Sequence, residues 1–341
     1  MARRSRKSNE KVEIVGPSPP KGWDATHRFL RFQLTHTGEG SEDFHYIDIA
    51  RHLSAINRRL YRQGMVYHIA NVQVQDSQGA CEFRFATLPN TWYFRKAWDL
   101  VFGAWKKQRA QLLDSASGVP AKTGKWSDFK VYINRDHMND TDWPNYVDVE
   151  NDATPYGEWN YADVTFTQNG TEYQEHAVHM MGGHSIGSAM SNETSTEDDD
   201  YDGSISAIKC FGEVWNQPRD NNPQTASAFA DSVLLGMDLG IMGADESRDD
   251  MLAEIMNEND SAPYSDSTYP GTAGQAEDPW VVRETDLDGT GDTIAYVGGF
   301  PVPLGLLVIE TESGTDGNIV NVTIEMAPGD YLGVAASPMW D

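Results

Sequence analysis

Cysteine is nearly absent from this chain, with 2 in 341 residues. That excludes a disulfide-stapled scaffold and a Cys-rich zinc protein. No apolar run approaches the roughly 18 residues that a membrane-spanning helix needs. The opening stretch, MARRSRKSNEKVEIVGPSPPKG, carries bases with no apolar segment behind them, which is not the pattern of a secretory signal. Sequons such as those at Asn139 and Asn321 therefore carry no weight. Phosphate-loop, GxGxxG and HExxH signatures are missing. No fixed-period repeat is visible, which excludes solenoids and propellers. Bases are scarce as well: 26 Lys+Arg stand against 52 Asp+Glu, a net charge of −26 at pH 7. Aromatic residues are plentiful at 11%, too many for a disordered chain, and the length can bury a large core.

A net charge this negative argues against a nucleic-acid partner only if it is spread evenly. It is not. Residues 1–135 hold 22 Lys+Arg and 12 Asp+Glu, for +10, and residues 136–341 hold 4 bases (Lys209, Arg219, Arg248 and Arg283) and 40 acids, for −36. Such asymmetry points to nucleic-acid or membrane contact on the basic side.

Residues 1–22 read as an arm. Arg3, Arg4, Arg6, Lys7 and Lys11 crowd its start, and Pro17, Pro19 and Pro20 make a stiff spacer. A solvated tail and an electrostatic anchor for polyanions are the two readings, and the Pro-rich spacer favours the anchor. Residues 23–341 form the second unit. Residues 28–35 alternate like a strand. Residues 46–64 switch to helical spacing through Ile49, Leu53, Ile56 and Leu60, with Arg51, Arg58, Arg59 and Arg62 off that stripe and Gly64 as C-cap. Residues 65–75 and 81–88 read as two strands of a hairpin about the Asp76–Gly79 turn. Thr91 caps a second helix reaching about Leu113, with Trp92, Ala97, Trp98, Val101, Phe102 and Trp105 on one face. Strands are expected at 127–134, 158–167, 171–181, 204–215, 279–284, 293–299, 303–310 and 318–326, an exposed loop over 182–204 and a helix over 226–257. Many short strands between Gly, Pro, Asn and Asp turns make an all-β antiparallel sandwich or barrel.

Two groups have metal-like spacing. His176, His179 and His184 follow H-x2-H-x4-H, but a strand puts 176 and 179 on opposite faces, so a structural role is expected. Asp286, Asp288 and Asp292 alternate oxygen ligands around Gly289, the local chemistry of a Ca2+ loop, although the closing Glu of an EF-hand is missing. An Asp-Gly hairpin turn is the plain alternative. Cys81 and Cys210 lack a nucleophile's surroundings. Nothing here speaks for catalysis.

Two stretches carry a likeness. One runs from Tyr46-Ile47-Asp48-Ile49-Ala50-Arg51 through Ser54-Ala55-Ile56-Asn57-Arg58-Arg59-Leu60-Tyr61-Arg62-Gln63-Gly64 to Tyr67-His68-Ile69-Ala70-Asn71-Val72 and Asp76-Ser77-Gln78-Gly79. The other is Thr91-Trp92, Lys96-Ala97-Trp98 and Trp105-Lys106-Lys107-Gln108. Across residues 28–135 the chain resembles the capsid proteins of environmental, largely marine, circular Rep-encoding single-stranded DNA viruses. The resemblance implies a jelly-roll β-sandwich with helical insertions and a flexible basic N-terminal arm. It also implies self-assembly into an icosahedral shell and packaging of circular single-stranded DNA. Such a protein is made in the host cell without a signal peptide, ends in the virion, and has neither a catalytic residue nor a required cofactor. The DNA-binding residues expected are Arg3, Arg4, Arg6, Lys7 and Lys11 of the arm, supplemented by Arg58, Arg59 and Arg62, with Ca2+ at acidic loops or subunit contacts as an optional ion. The competing expectation is a non-viral β-sandwich that binds carbohydrate through its tryptophans or single-stranded DNA through its basic section.

Overall fold

In the computed structural model, strand β1 (Phe29–Thr35) buries Leu30, Phe32 and Leu34 and leaves Phe29 47% exposed. This is the period-2 pattern of a strand with one face in a core. The structure describes residues 26–37, 40–76, 80–115, 124, 126–140, 143–148, 150, 152–153, 157–168, 172–184, 203–216, 279–288 and 293–339. The arm at 1–22, Trp23, most of the 182–204 loop, the 226–257 helix and Asp292 lie outside them.

β1 pairs with β12 (Ile319–Met326), which pairs with β3 (Met65–Asp76), and β9 (Thr293–Gly298) lies on the far side of β3. The second sheet runs β2 (Glu42–Asp48), β11 (Leu306–Ser313), β4 (Ala80–Thr87), β8 (Trp280–Asp288). Every one of these pairings is antiparallel. The two sheets enclose one core that includes Phe32, Val72, Val74, Phe83, Phe85, Ile309 and Val322. Short strands β10 (Pro301–Pro303) and β13 (Ala336–Pro338) pair with the start of β3 from opposite sides. The molecule is thus an all-β antiparallel sandwich.

The second sheet is apolar on both faces over part of its length. In β11, Leu307 and Ile309 point into the first core, and Leu306 and Val308 point into a second, which is why the run Leu306–Ile309 is unbroken by polar residues. The second core is roofed by α2 (Trp92–Ser115), α4 (Ala207–Asn216) and a third sheet of β5 (Asp163–Gln168), β6 (Glu172–His179) and β7 (Ser204–Ser206). All of these come from the long insertion between β4 and β8. The chain enters β11 through Leu304 and Gly305, both left-handed at φ 58° and 67°. Two positive-φ residues make the tight turn that fits strand twist. Leu304 tolerates this strained backbone because its side chain is fully buried in the second core.

Several expectations need correction. β3 and β4 are not a hairpin: they belong to different sheets, because each buries one face in the same core and they therefore lie across it. Helix α1 spans Ile49–Asn57 only. Tyr46 and Ile47 extend β2 against Val308 and Leu307, and Arg58, at φ 52°, ends the helix well before Gly64. Trp92 is 48% exposed and leaves the apolar face of α2. Residues 127–134 contribute one isolated bridge, Tyr132 with His179, and a short helix α3 (Arg135–Asn139) follows. Only Ser204–Ser206 of 204–215 is a strand. The Ser206 hydroxyl accepts the Lys209 N–H at 3.3 Å and starts α4. Asp286 and Asp288 lie within β8, not in a loop. No helix among the described residues is long and apolar enough to cross a membrane.

Candidate nucleic-acid interface

The junction of β2 and α1 is made by one residue. Asp48 ends the strand, and its Oδ1 accepts the Arg51 N–H at 3.1 Å as the N-cap of α1. Its Oδ2 accepts the Gln63 side-chain amide at 3.2 Å, the Trp159 indole N–H at 3.0 Å and the Tyr161 hydroxyl at 3.2 Å. Asp48 is 3% exposed. Burial pushes its carboxyl pKa up, against the pull of these donors and of the Arg51 charge. Gln63 also donates to the Val131 carbonyl at 3.1 Å and accepts its N–H at 2.6 Å, reading that backbone as a strand partner would. Gln108 does the same to Thr165 at the edge of β5, at 2.7 and 3.2 Å.

These ties frame a groove of about 1080 Å³. From α1 it takes Arg51, Ser54, Ala55 and Arg58, and from α2 Trp105, Gln108, Arg109 and Leu112. Each set is spaced i, i+3, i+4, i+7, one face of a helix. The floor comes from Trp126–Lys130 and from Trp159–Thr165, with Glu175 of β6 beside them. Four cations therefore share the groove with four aromatic rings: Arg51, Arg58, Arg109 and Lys130 with Trp105, Trp126, Trp159 and Tyr161. The Lys130 ammonium sits 3.9 Å from the centre of the Trp159 ring, and the Arg109 guanidinium 5.0 Å from that of Trp105. Burial lowers the Lys130 pKa, opposed by Asp48, Asp128 and Glu158. Tyr161 stacks on Tyr132 at 4.0 Å. Four carboxylates also line the space: Asp128, Glu158, Asp163 and Glu175.

The predicted basic set divides here. Arg58 enters the groove as the residue that ends α1. Arg59 and Arg62 are exposed on the connection beyond the helix, not on its basic face, and Arg62 pairs with Asp128 at 3.6 Å. Arg3, Arg4, Arg6, Lys7 and Lys11 lie outside the described residues. Sequence reasoning missed Lys130, Trp126, Trp159 and Tyr161 as site residues: 127–134 and 158–167 read as strands, and nothing in a strand pattern places them beside α1 and α2. Helical spacing set Arg51 off the apolar stripe of the first helix, but neither it nor Arg109 was expected as a binding residue. Trp98 is core at 1% exposure, whereas Trp105 is only partly buried and lines the groove.

The metal candidates also change. His176 and His179 are both fully buried in β6. The His179 Nε2 lies 3.0 Å from the Gly183 carbonyl, and the His184 Nδ1 accepts the Ser206 N–H at 3.0 Å, so these two rings are tied to the backbone. Among the described residues, the one group of acids close enough to hold an ion is Glu82, Glu284 and Asp286, with ligand atoms within 4.8 Å of one another. It lies on the polar part of the second sheet. Arg84 stands amid it, bonded to Glu82 and Glu310 and flanked by Glu42, Glu284 and Glu312 at 3.6 to 3.8 Å. A hydrogen bond with Glu82 raises the Glu284 pKa. Gly183-His184-Ser185-Ile186-Gly187 spells GxSxG, a match that sequence reasoning passed over. That spelling has meaning where a strand turns into a helix at the top of an α/β sheet. Here β6 belongs to a small sheet of a β-sandwich, and Ser185 lies outside the described residues. Burial raises the Cys81 pKa to about 12, as befits an inert thiol.

Two outcomes are expected. Asp48→Ala loses about 3–5 kcal/mol of stability, because buried donors are left without an acceptor. Asp48→Asn keeps one acceptor oxygen and loses less. Urea unfolding reads both. The second concerns acid. Burial pushes His52 and His137 down to about 3 and His179 down to about 4. Unfolded histidine takes its proton near pH 6.5, so unfolding absorbs protons between that value and the depressed ones. Stability is full above the window and falls as pH drops through it, each histidine contributing up to about 1.4 kcal/mol per pH unit. The raised Asp48 pKa runs in the opposite sense, favouring the folded state at acid pH, so parent and variant must be compared. His137→Gln flattens the urea-midpoint slope between pH 6.5 and 4.5 by one histidine's share.

No protein-family model matches the chain, and no curated protein and no solved structure matches it.

Proposed function

We propose that this chain is a capsid subunit of a single-stranded DNA virus, a jelly roll that assembles into a closed shell around its genome and has no enzymatic role. The observation that carries the proposal is the strand order. Taken along the chain, β1, β2, β3 and β4 alternate between the sheets, and β8, β9, β11 and β12 alternate again, giving the orders β1-β12-β3-β9 and β2-β11-β4-β8. Two four-stranded antiparallel sheets linked in this crossing manner fit the double Greek key of jelly rolls, whose uses include viral capsids. Lectins share that architecture, so fold alone does not select a function. The resemblance of residues 28–135 and the five bases of the arm, Arg3, Arg4, Arg6, Lys7 and Lys11, favour the capsid.

One observation favours a second reading. Trp126 is 42% exposed in a groove that also holds Asp128, Glu158 and Asp163, and a sandwich binding carbohydrate would stack sugars on such a ring. Assembly separates the two. The full chain, purified and imaged by negative-stain microscopy, is expected to form closed particles of uniform size. A chain that stays monomeric from low salt to about 1 M, where the Debye length falls to about 3 Å, would overturn the proposal. Replacing the five arm bases by Ser should leave particles intact and lower their ratio of absorbance at 260 to 280 nm. It should also reduce the slope of log affinity against log salt by about 3 to 4.

A further inference from the structure

We infer that the free edge of β9 pairs, about a two-fold axis, with the β9 edge of a second copy, joining the first sheets of two subunits into one continuous sheet. The edge itself carries this; only the place of such a pair within a closed shell rests on the proposed function.

A sheet edge is a row of unpaired N–H and C=O groups that invites another strand, and proteins guard their edges with charge, proline or a covering segment. The two main sheets have edges at β1, β9, β2 and β8. The β1 edge is covered: Phe32 bridges to Tyr146, and the Val147 N–H donates to the Arg31 carbonyl at 3.0 Å. Charge marks the next two, Glu42 and Asp43 on β2, and Arg283, Glu284 and Asp286 on β8. β10, which continues the β9 side along β3, begins with Pro301 and ends with Pro303. β9 reads Thr-Ile-Ala-Tyr-Val-Gly, with neither charge nor proline, and among the described residues no strand lies beyond it. It leaves Ile294 46% and Tyr296 67% exposed.

The ladder decides which groups this edge offers. The Met326 N–H donates to the Arg28 carbonyl, and at the other end the His36 N–H donates to the Asn318 carbonyl. The even-numbered residues of β12 therefore bond to β1 and the odd-numbered ones to β3. Carried through the registers of β12 with β3 and of β3 with β9, the alternation bonds Ala295 and Val297 to β3. It turns the N–H and C=O of Ile294 and Tyr296 outward.

A second copy complements this edge by symmetry. With the axis at Ala295, Ile294 of each copy lies opposite Tyr296 of the other, and every such pair exchanges both of its main-chain hydrogen bonds. On the outer face an aromatic ring then meets a β-branched side chain, a favourable cross-strand pair. The outer face beside them is uncharged: Gln73 and Thr323 continue the row from Tyr296, and Gln75 and Asn321 the row from Ile294. In a chain of net charge −26, self-association is opposed least at such a strip and most on the acidic face of the second sheet. Trp280 and Val281, 48% and 52% exposed on the edge strand that packs beside β9, extend the apolar border.

The test follows the full chain by sedimentation velocity over a concentration series, with amide hydrogen exchange of residues 293–298 read on the same samples. The parent is expected to associate and to slow exchange at the Ile294 and Tyr296 amides as it does so. Ile294→Glu with Tyr296→Glu sets like charges face to face in both pairs. It should weaken association about 10-fold or more and free those amides. Ile294→Lys with Tyr296→Glu sets opposite charges face to face and should restore most of the loss. Both positions are exposed, so the circular dichroism of either variant should match the parent. Association unchanged by the two Glu substitutions would sink the inference. So would Ile294 and Tyr296 amides that exchange freely in the associated parent, or a Lys and Glu variant that associates no better than the doubly Glu one. Closed particles that form equally well from the doubly Glu variant leave the capsid proposal standing and remove this one. Dimers paired through β9 that never close into particles do the reverse.

Discussion

Four donors from separate parts of the chain meet on the Asp48 carboxylate, and much of the molecule's organisation depends on that meeting. Removing a carboxylate from water costs several kcal/mol even after relaxation, and only well-placed hydrogen bonds offset it. Here they do so by joining elements that have no other reason to meet. The Arg51 N–H starts α1, Gln63 reaches on to Val131, and Trp159 and Tyr161 fix the segment before β5. A residue that merely capped a helix would be exposed; this one is also the anchor of the groove. The groove's rings are consequently held in place by the fold itself.

The second sheet shows how one surface is shared between packing and charge. Over Leu306–Ile309 the outer face is covered by the second core, and from Glu310 onward it is open and acidic. The switch occurs within one strand, between Val308 and Glu310 on the same face. Arg84 sits where that open face would otherwise be a block of like charges, with five carboxylates within 4 Å. Cross-strand like charges destabilise a sheet, and one guanidinium placed opposite Glu310 and Glu284 relieves the conflict. Its pKa is raised accordingly. Given the exposure of its partners, this arrangement matters more for permitting the sheet than for adding stability.

Local periodicity was readable and long-range pairing was not. The alternation of residues 28–35 and 318–326 gave both strands to within a residue or two, but nothing in either said that they are partners. Asp76-Ser77-Gln78-Gly79 is good hairpin chemistry, yet the flanking strands part into different sheets, because which neighbour a strand takes is decided by the packing of both faces. Helix α1 was legible as a stripe but overextended at both ends. Its start depends on a side-chain cap and its end on a positive φ at Arg58, neither of which a periodicity records. The groove was half legible for the same reason. Arg51, Arg58 and Trp105 repeat with their helices, whereas the segments of Lys130 and Trp159 are set beside them by the Gln63–Val131 and Asp48–Trp159 hydrogen bonds, which no local pattern records.

The division of charge along the sequence does not persist as a division in space. Arg84, from the basic section, is surrounded by Glu284, Glu310 and Glu312 of the acidic one. Asp163 and Glu175, from the acidic section, share a groove with Arg51 and Arg58 of the basic one. A net charge of −26 therefore bears on repulsion between copies, while the surroundings of each group are set by local arrangement. Under the proposed assembly this matters for geometry. A self-complementary two-fold contact through the second sheet would bring its acidic half against its own copy. A contact between unlike patches sets the acidic face of one subunit against a cationic surface of the next. Unlike patches repeated around an axis close into rings when the rotation is commensurate. Under that proposal these charges favour heterologous contacts over isologous ones at the second sheet, and more so at low salt, where the Debye length reaches beyond the contact itself.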